Sequence, residues 1–224
     1  FPTRRSSDLA DVLITVDAAN LAVADAWGVF APVKSKLLEA RIPAHLRSAT
    51  WFAFSTRARV IIYNRKLLKP TDVATYESLA DPKLKGLVCS RSGNHPYNLS
   101  LVAALVAHNG EAKTEQWAKG VVANFATPPR GGDNDQIKSV ASGECGVAVS
   151  NTYYLARFLN SERVEERNLI KRLGIVMPNQ SSYGTHVNVS GAGVVKTSKN
   201  KEAAVRFLEY LASDEAQRYL AEGN

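Results

Sequence analysis

The sequence predicts an α/β fold, because short apolar segments rich in β-branched residues alternate with amphipathic helical segments along the chain. Apolar residues make up 45% of the 224 residues and charged residues 22%, which is typical of a folded globular protein and excludes a mainly disordered chain. The longest apolar run, near 101–107, is far shorter than the roughly 18 residues that a membrane-spanning helix needs. The length suits one large domain or two of about 100 residues each.

Strands are predicted where β-branched and other apolar residues run together between turn signals. These segments are 11–15, 59–63, 86–90, 145–149, 174–177 and 187–196. Helices are predicted from amphipathic patterning, with Pro96 at a first helical position and Gly28, Gly110 and Gly143 just past helix ends. The helical segments are 18–27, 72–79, 96–109, 113–125, 135–142, 153–159, 200–212 and 214–222.

The first nine residues differ from the rest of the chain. They have no apolar period, no helix cap and no signal-peptide core, and they look like a translated sequencing adapter. We therefore expect residues 1–9 to be non-native and the remainder to be an internal piece of a longer protein, truncated at both ends. No long linker divides the chain, and the candidate crossings between two lobes are 56–63 and 185–194.

The charge and the absence of enzyme motifs narrow the function. The formal charge of +7 predicts an anionic partner of some kind, but the basic residues are scattered and form no nucleic-acid-binding motif. The chain has no nucleophile elbow, Walker loop or dinucleotide-binding glycine pattern, and its four histidines lack metal-ligand spacing. Cys89 and Cys145 lie on apolar strands, which favours buried thiols or a disulfide over a catalytic nucleophile.

Three features could hold a charged ligand. Tyr153 and Tyr154 are adjacent at a strand-to-helix junction, where two phenols can converge on one point and bind a hard trivalent cation. Ser92 and Gly93 precede the helix that carries Tyr97, and the start of such a helix favours an anion. Each feature also has an ordinary structural reading, as a core tyrosine beside a surface tyrosine or as a capped helix.

A third candidate is an arginine pair at the start of a strand. Strand alternation places Arg57 and Arg59 on the same face, where a guanidinium group could bind an oxyanion through two hydrogen bonds. A solvated basic strand end is the simpler interpretation of this pair.

Together these motifs resemble one family. The segments 55–60 (STRARV), 89–98 (CSRSGNHPYN) and 143–154 (GECGVAVSNTYY) are similar to those of the periplasmic ferric-ion-binding proteins, the substrate-binding components of bacterial iron(III) ABC transporters. The resemblance covers essentially all of residues 10–224. It implies the type II periplasmic binding protein fold, with iron held between two lobes. The implied boundaries are 10–58 for an incomplete first lobe, 59–186 for the second lobe, and 187–224 for the return to the first lobe.

The resemblance also implies a site. Tyr153 and Tyr154 match the paired tyrosine ligands of the family, and Tyr97 matches the further tyrosine of its tyrosine-rich branch. Arg57 matches the arginine that binds the synergistic anion, which is carbonate or phosphate. The positions around that anion are Ser92, Gly93 and Asn151. Some members use a glutamate ligand where this chain has Val16 followed by Asp17, a departure that supports the tyrosine-rich branch and leaves the role of Asp17 open.

The implied function is capture rather than catalysis. The protein is expected to be a periplasmic monomer that binds Fe³⁺ with its anion and delivers it to an inner-membrane ABC permease, with no nucleic acid and no membrane insertion. A first alternative is a receptor of the same fold for a small organic or phosphorylated ligand, in which the tyrosines form aromatic stacking surfaces. A second is an enzyme that uses Tyr153 or Tyr154 as an acid or nucleophile, with Arg57 stabilising an oxyanion.

Overall fold

A computed structural model describes residues 10–222. The adapter-like segment predicted at 1–9 lies outside the described residues. In the described part, strands and helices alternate along the chain, which confirms the predicted α/β class.

The strands are β1 (Val12–Val16), β2 (Trp51–Asn64), β3 (Val88–Cys89), β4 (Val147–Asn151), β5 (Leu173–Val176) and β6 (Val187–Val194). The α-helices are α1 (Ala18–Ala26), α2 (Lys36–Arg41), α3 (Pro96–Asn109), α4 (Glu111–Ala123), α5 (Asp133–Ser142), α6 (Thr152–Leu159), α7 (Val164–Ile170), α8 (Lys201–Leu211) and α9 (Asp214–Glu222). Short 3₁₀ turns cover Ala44–Leu46, Pro70–Val73, Glu77–Ala80 and Pro82–Leu84.

The structure adds the helices α2 and α7 and a longer β2 to the predicted elements, and it contradicts the helix predicted at 72–79. Two 3₁₀ turns stand there instead, at Pro70–Val73 and Glu77–Ala80. The amide of Ser78 donates to the Thr75 hydroxyl, and the Ser78 hydroxyl donates to the Thr75 carbonyl. Such local side-chain hydrogen bonds compete with the regular bonds of an α-helix and explain the difference.

The contacts divide the chain into two compact units. The first unit comprises the described residues up to Thr56 and from Asn188 onward, and the second unit runs from Arg57 to Val187. In the first unit β1 pairs antiparallel with β6, so that Val12 lies opposite Val194. Its two apolar clusters contain fully buried residues such as Leu21, Leu38, Phe52, Ala192 and Leu208.

The second unit is built around four strands. β2 pairs antiparallel with β4 and β5, and β3 pairs parallel with β4. Along β2 the side chains alternate between two apolar clusters, with Val60 and Ile62 in one and Ile61 and Tyr63 in the other. Both faces of this part of β2 are therefore buried, which is why it reads as a continuous apolar run in the sequence.

Cys89 and Cys145 form a disulfide, with their Cα atoms 5.8 Å apart. Both residues are buried. The sequence left open whether these cysteines pair, and the structure joins them. The bond ties the end of β3 to the segment that leads into β4.

Tyr76 anchors two segments of the second unit from a fully buried position. Its hydroxyl donates to the Arg59 carbonyl and accepts from the His186 amide, while the Arg59 amide donates to the His186 carbonyl. Burial is the main cause that raises the pKa of Tyr76, so this phenol stays neutral. The start of the second unit is thus hydrogen-bonded to its end.

Across residues 10–222, no helix combines the length and the apolar character that a membrane span requires.

Candidate metal and anion site

Three predicted tyrosines come together in the second unit. The hydroxyl oxygens of Tyr97 and Tyr153 lie 3.0 Å apart. The rings of Tyr153 and Tyr154 are 4.3 Å apart between centroids and tilted by 34°. The Tyr153 hydroxyl also hydrogen-bonds to that of Tyr154. Three phenolic oxygens therefore form one hydrogen-bonded cluster.

Two helix starts place these side chains. α3 begins at Pro96, and the His95 ring nitrogen Nδ1 accepts from the Tyr97 amide at 3.2 Å, which caps the helix. The second start is α6, which follows directly on β4 and has Asn151 at its N-cap position. The tyrosine pair thus occupies the first turn of α6, directly after the strand that pairs with the arginine strand β2.

The environment of Tyr153 keeps its phenol neutral. Burial raises the pKa of Tyr153, and its hydrogen bonds to Tyr154 and Tyr97 raise it further, whereas Asn151 lowers it. The Asn151 side-chain amide donates to the Tyr153 hydroxyl at 3.5 Å. A cation that uses this oxygen as a ligand must therefore displace a proton.

Three arginines surround the ring of Tyr97. The guanidinium carbons of Arg91, Arg57 and Arg59 lie 5.1, 5.3 and 5.8 Å from its centroid. The prediction that Arg57 and Arg59 share a face agrees with this placement. Positive charge is therefore concentrated beside one phenol of the cluster, in a range where cations interact with aromatic rings.

Arg59 is already hydrogen-bonded to several side chains of the protein. Arg59 is buried, and its guanidinium group donates to Asp133 at 2.5 Å, to Asn98 at 2.9 Å and to the Asn151 side chain at 3.3 Å. Burial lowers the pKa of Arg59, and the charge of Asp133 opposes that effect. Both terminal nitrogens of Arg59 thus bond to protein partners, which leaves little of this group for an oxyanion.

The anion positions predicted from the sequence lie in two places. Ser92 and Gly93 are exposed in the turn before α3, where the Ser92 hydroxyl accepts from the Asn94 amide at 3.3 Å. Asn151 is buried at the end of β4, directly opposite Arg59 in the strand register. The register therefore brings the arginine strand next to the helix that carries the tyrosine pair.

Sequence reasoning missed several residues around this cluster. Asp133 accepts hydrogen bonds from Arg59 and Arg91 and from the Asn151 amide. Asn98 donates to the Ser90 hydroxyl and to the carbonyls of residues 91 and 92, which fixes the loop before α3. The partners of Asp133 are distant in sequence, so no local motif could have revealed them, whereas those of Asn98 lie six to eight residues away.

A fourth arginine, also missed, lies beside the tyrosine pair. The guanidinium carbon of Arg157 is 5.4 Å from the Tyr153 ring centroid and 5.7 Å from that of Tyr154. Its position three and four residues further along α6 is the spacing that brings side chains together on one helix face. That spacing could have identified Arg157 from the sequence as a neighbour of the tyrosine pair.

Asp17, whose role the sequence left open, caps a helix in the first unit. Its carboxylate accepts from the Ala19 amide at 3.0 Å and from the Asn188 side chain at 2.8 Å. The neighbouring Val16 is half exposed. These contacts give Asp17 a structural task at the start of α1.

Conventional metal-binding clusters are missing from the described part of the chain. Among residues 10–222, no group of three or more His, Cys, Asp or Glu side chains could hold a metal ion. The tyrosine cluster offers oxygen donors that become anionic on deprotonation, which suits a hard trivalent cation and not a soft one.

Comparison with known proteins shows the family. The family model for bacterial extracellular solute-binding proteins matches residues 7–224. The iron uptake protein A1 of Synechocystis is 52% identical over 217 residues, which cover 96% of this chain and 60% of that protein. This chain therefore spans less than two thirds of the length of that curated relative.

Solved structures agree over nearly all of this chain. A Trichodesmium protein solved with iron and citrate ligands is 49% identical, with a TM-score of 0.91 over 96% of this chain and 69% of that one. The ferric binding protein from Campylobacter jejuni is 43% identical, with a TM-score of 0.88 over 94% of this chain and 68% of that one. These matches confirm the expected type II periplasmic binding protein fold and the predicted resemblance. The chain belongs to the family of bacterial extracellular solute-binding proteins.

Proposed function

We propose that this chain belongs to a periplasmic protein that captures Fe³⁺ together with an anion and delivers it to an ABC permease. The observation that carries the proposal is the convergence of three phenols, with the Tyr97 and Tyr153 oxygens 3.0 Å apart and Tyr154 hydrogen-bonded to the same group. The names of its relatives support the choice of metal, since they include an iron uptake protein and a ferric binding protein.

Charge matching favours a trivalent ion. Tyr97, Tyr153 and Tyr154 would each lose a proton on ligation, and three phenolates balance the charge of Fe³⁺. Without the metal, burial keeps the Tyr153 phenol neutral, so the empty site avoids the repulsion of three adjacent anions. The ion therefore supplies the charge that stabilises its own ligands.

An anion completes the proposed site. Arg57 lies beside Tyr97 and is the candidate to bind it, with Ser92, Gly93 and Asn151 as further anion-binding positions. Carbonate or phosphate fits this role, because a guanidinium group binds two oxygens of either anion in parallel. The Trichodesmium relative was solved with citrate, which offers carboxylate oxygens of the same hard character.

The proposed role is binding without turnover, as a monomer that needs no nucleic acid. The buried disulfide Cys89–Cys145 agrees with an oxidising compartment such as the periplasm. Family membership supports delivery to a permease, because solute-binding proteins of this kind bind a cargo outside the cell.

Titration with ferric citrate tests the proposal. The protein should develop a visible phenolate-to-iron charge-transfer band that saturates at one ion per chain. Tyr154→Phe should weaken binding and reduce the band, because phenylalanine keeps the ring and removes the oxygen ligand.

The matched control is Tyr210→Phe, which removes a half-exposed phenol on α8 of the first unit. This variant should bind iron as the unmodified protein does. A colourless loaded protein contradicts the proposal, and full tolerance of Tyr154→Phe favours aromatic stacking on an organic ligand.

A further inference from the structure

Asp133 is the most completely buried charged residue at the base of the tyrosine cluster. Its side chain is 0% exposed. One carboxylate oxygen accepts from Arg59 at 2.5 Å and from the Asn151 amide at 2.8 Å, and the other accepts from Arg91 at 2.9 Å. A single carboxylate thus joins three segments, namely β2, the loop after β3 and the end of β4.

The residue that each segment contributes lies beside a tyrosine of the cluster or directly before the tyrosine pair. The Arg59 and Arg91 guanidinium groups both lie within 6 Å of the Tyr97 ring centroid, at 5.8 and 5.1 Å. Asn151 is the N-cap residue of α6, so the residue whose amide Asp133 holds directly precedes the turn with Tyr153 and Tyr154. Asp133 itself touches none of the three phenols in any hydrogen bond that the structure gives it.

The charges around Asp133 indicate the role of its carboxylate. Arg59 is 3% exposed in its side chain and Arg91 is 12% exposed, so two cations are held close together out of water. Asp133 is the carboxylate that ion-pairs with both of them. Removing one partner from such a buried group leaves like charges facing each other, and the arginines must then move apart or draw in water.

We propose that Asp133 is a positioning residue of the metal site, which holds Arg59 and Arg91 against Tyr97 and fixes the start of the helix that carries Tyr153 and Tyr154. The inference rests on the proposed ferric-ion function and adds a residue to it. Outer partners that orient metal ligands typically change metal affinity by about 10- to 100-fold when they are replaced. Asp133 acts on the tyrosines in the same way, through Arg59, Arg91 and Asn151.

The test is the ferric affinity of Asp133→Asn, measured by competition with citrate under conditions in which circular dichroism shows the protein folded. Asparagine keeps the size and one acceptor oxygen but removes the charge. Affinity should fall by about 10- to 100-fold, and the charge-transfer band of the remaining complex should shift in energy because the surroundings of Tyr97 change.

Asp135→Asn is the matched control. Asp135 lies in the same first turn of α5, is exposed, and accepts only the Gly132 amide among its hydrogen bonds in the structure. The substitution removes the same charge and keeps an acceptor for the cap, so affinity and band energy should stay unchanged. Equal losses in Asp133→Asn and Asp135→Asn mean that net charge alone acts, which overturns the proposal.

A second variant keeps the inference testable if Asp133→Asn folds poorly. Arg91→Gln leaves Arg59 and Asp133 as a balanced ion pair. If Asp133 acts through the arginines, the loss of ferric affinity caused by Asp133→Asn should be about fivefold smaller in the Arg91→Gln background than in the unmodified protein. If Asp133→Asn alone does not fold, Arg91→Gln itself should weaken ferric binding and shift the band.

The outcomes distinguish this inference from the proposed ferric-ion function on which it rests. Equal costs in both backgrounds, or an Arg91→Gln variant with unchanged affinity and band, overturn the role of Asp133. Failure of the unmodified protein to form the band rejects the ferric-ion function instead.

Discussion

Removal of the disulfide should cost the second unit a large part of its stability. Cys89 and Cys145 are 56 residues apart in sequence, and the bond closes the chain between them into a loop. On the chain-entropy model a loop of this size restricts the unfolded chain by about 4 kcal/mol. The double variant Cys89→Ala/Cys145→Ala should lose roughly this free energy of unfolding.

Urea denaturation followed by tryptophan fluorescence measures this loss. Trp117 lies in the second unit, where its indole N–H donates to the Tyr76 carbonyl, whereas Trp27 and Trp51 lie in the first unit. Replacing Trp27 and Trp51 by phenylalanine in both proteins leaves Trp117 as the reporter of the unit that holds the disulfide.

The reduced protein supplies the control. With both cysteines present and a reductant added, the free energy of unfolding should match that of the double variant. The slope against urea should rise in both, because an unlinked chain exposes more surface on unfolding. A loss below about 1 kcal/mol refutes the reasoning, since the loop-closure term then contributes little.

Two further predictions concern protons. Iron loading should release protons, and iron retention should weaken as the pH falls. The reason is that burial raises the pKa of Tyr153, so its phenol is neutral until the metal displaces the proton. A pH-stat titration that detects no proton release contradicts this prediction. The free energy of unfolding of the metal-free protein should decline above about pH 10, because unfolded tyrosines ionise there while Tyr76, whose pKa burial raises, keeps its proton in the fold. Denaturation curves of Tyr76→Phe should show a smaller decline with pH, and an equal decline means that Tyr76 has no part in it.

The sequence was most informative where the determinants are local. The helix predicted at 96–109 is α3, because Pro96 and Gly110 act on the backbone beside them. The tyrosine pair was recognisable because two adjacent phenols at a strand-to-helix junction form an unusual local pattern. A pairing of Cys89 with Cys145 was one of two open readings, since buried cysteines look alike in sequence whether or not they are bonded.

The rest of the site depends on contacts that no local pattern encodes. Asp133 is 74 residues from Arg59, 42 from Arg91 and 18 from Asn151. In the sequence it is one acidic residue at the end of a glycine-containing loop. Arg59 was one of two arginines that could have bound an oxyanion, and only the folded structure shows that Asp133 and Asn98 accept hydrogen bonds from it. Burial and charge pairing are properties of the assembled sheet.

Every side chain proposed to touch the metal or its anion comes from one uninterrupted stretch of chain, the second unit from Arg57 to Val187. A first encounter with the cargo therefore needs no rearrangement of distant segments, since the donor atoms already belong to a single folded body. The order in which the ion meets its ligands is therefore a question of binding kinetics, in which the second unit is the starting point. Under the proposed function, the ion would bind first to these side chains of the second unit.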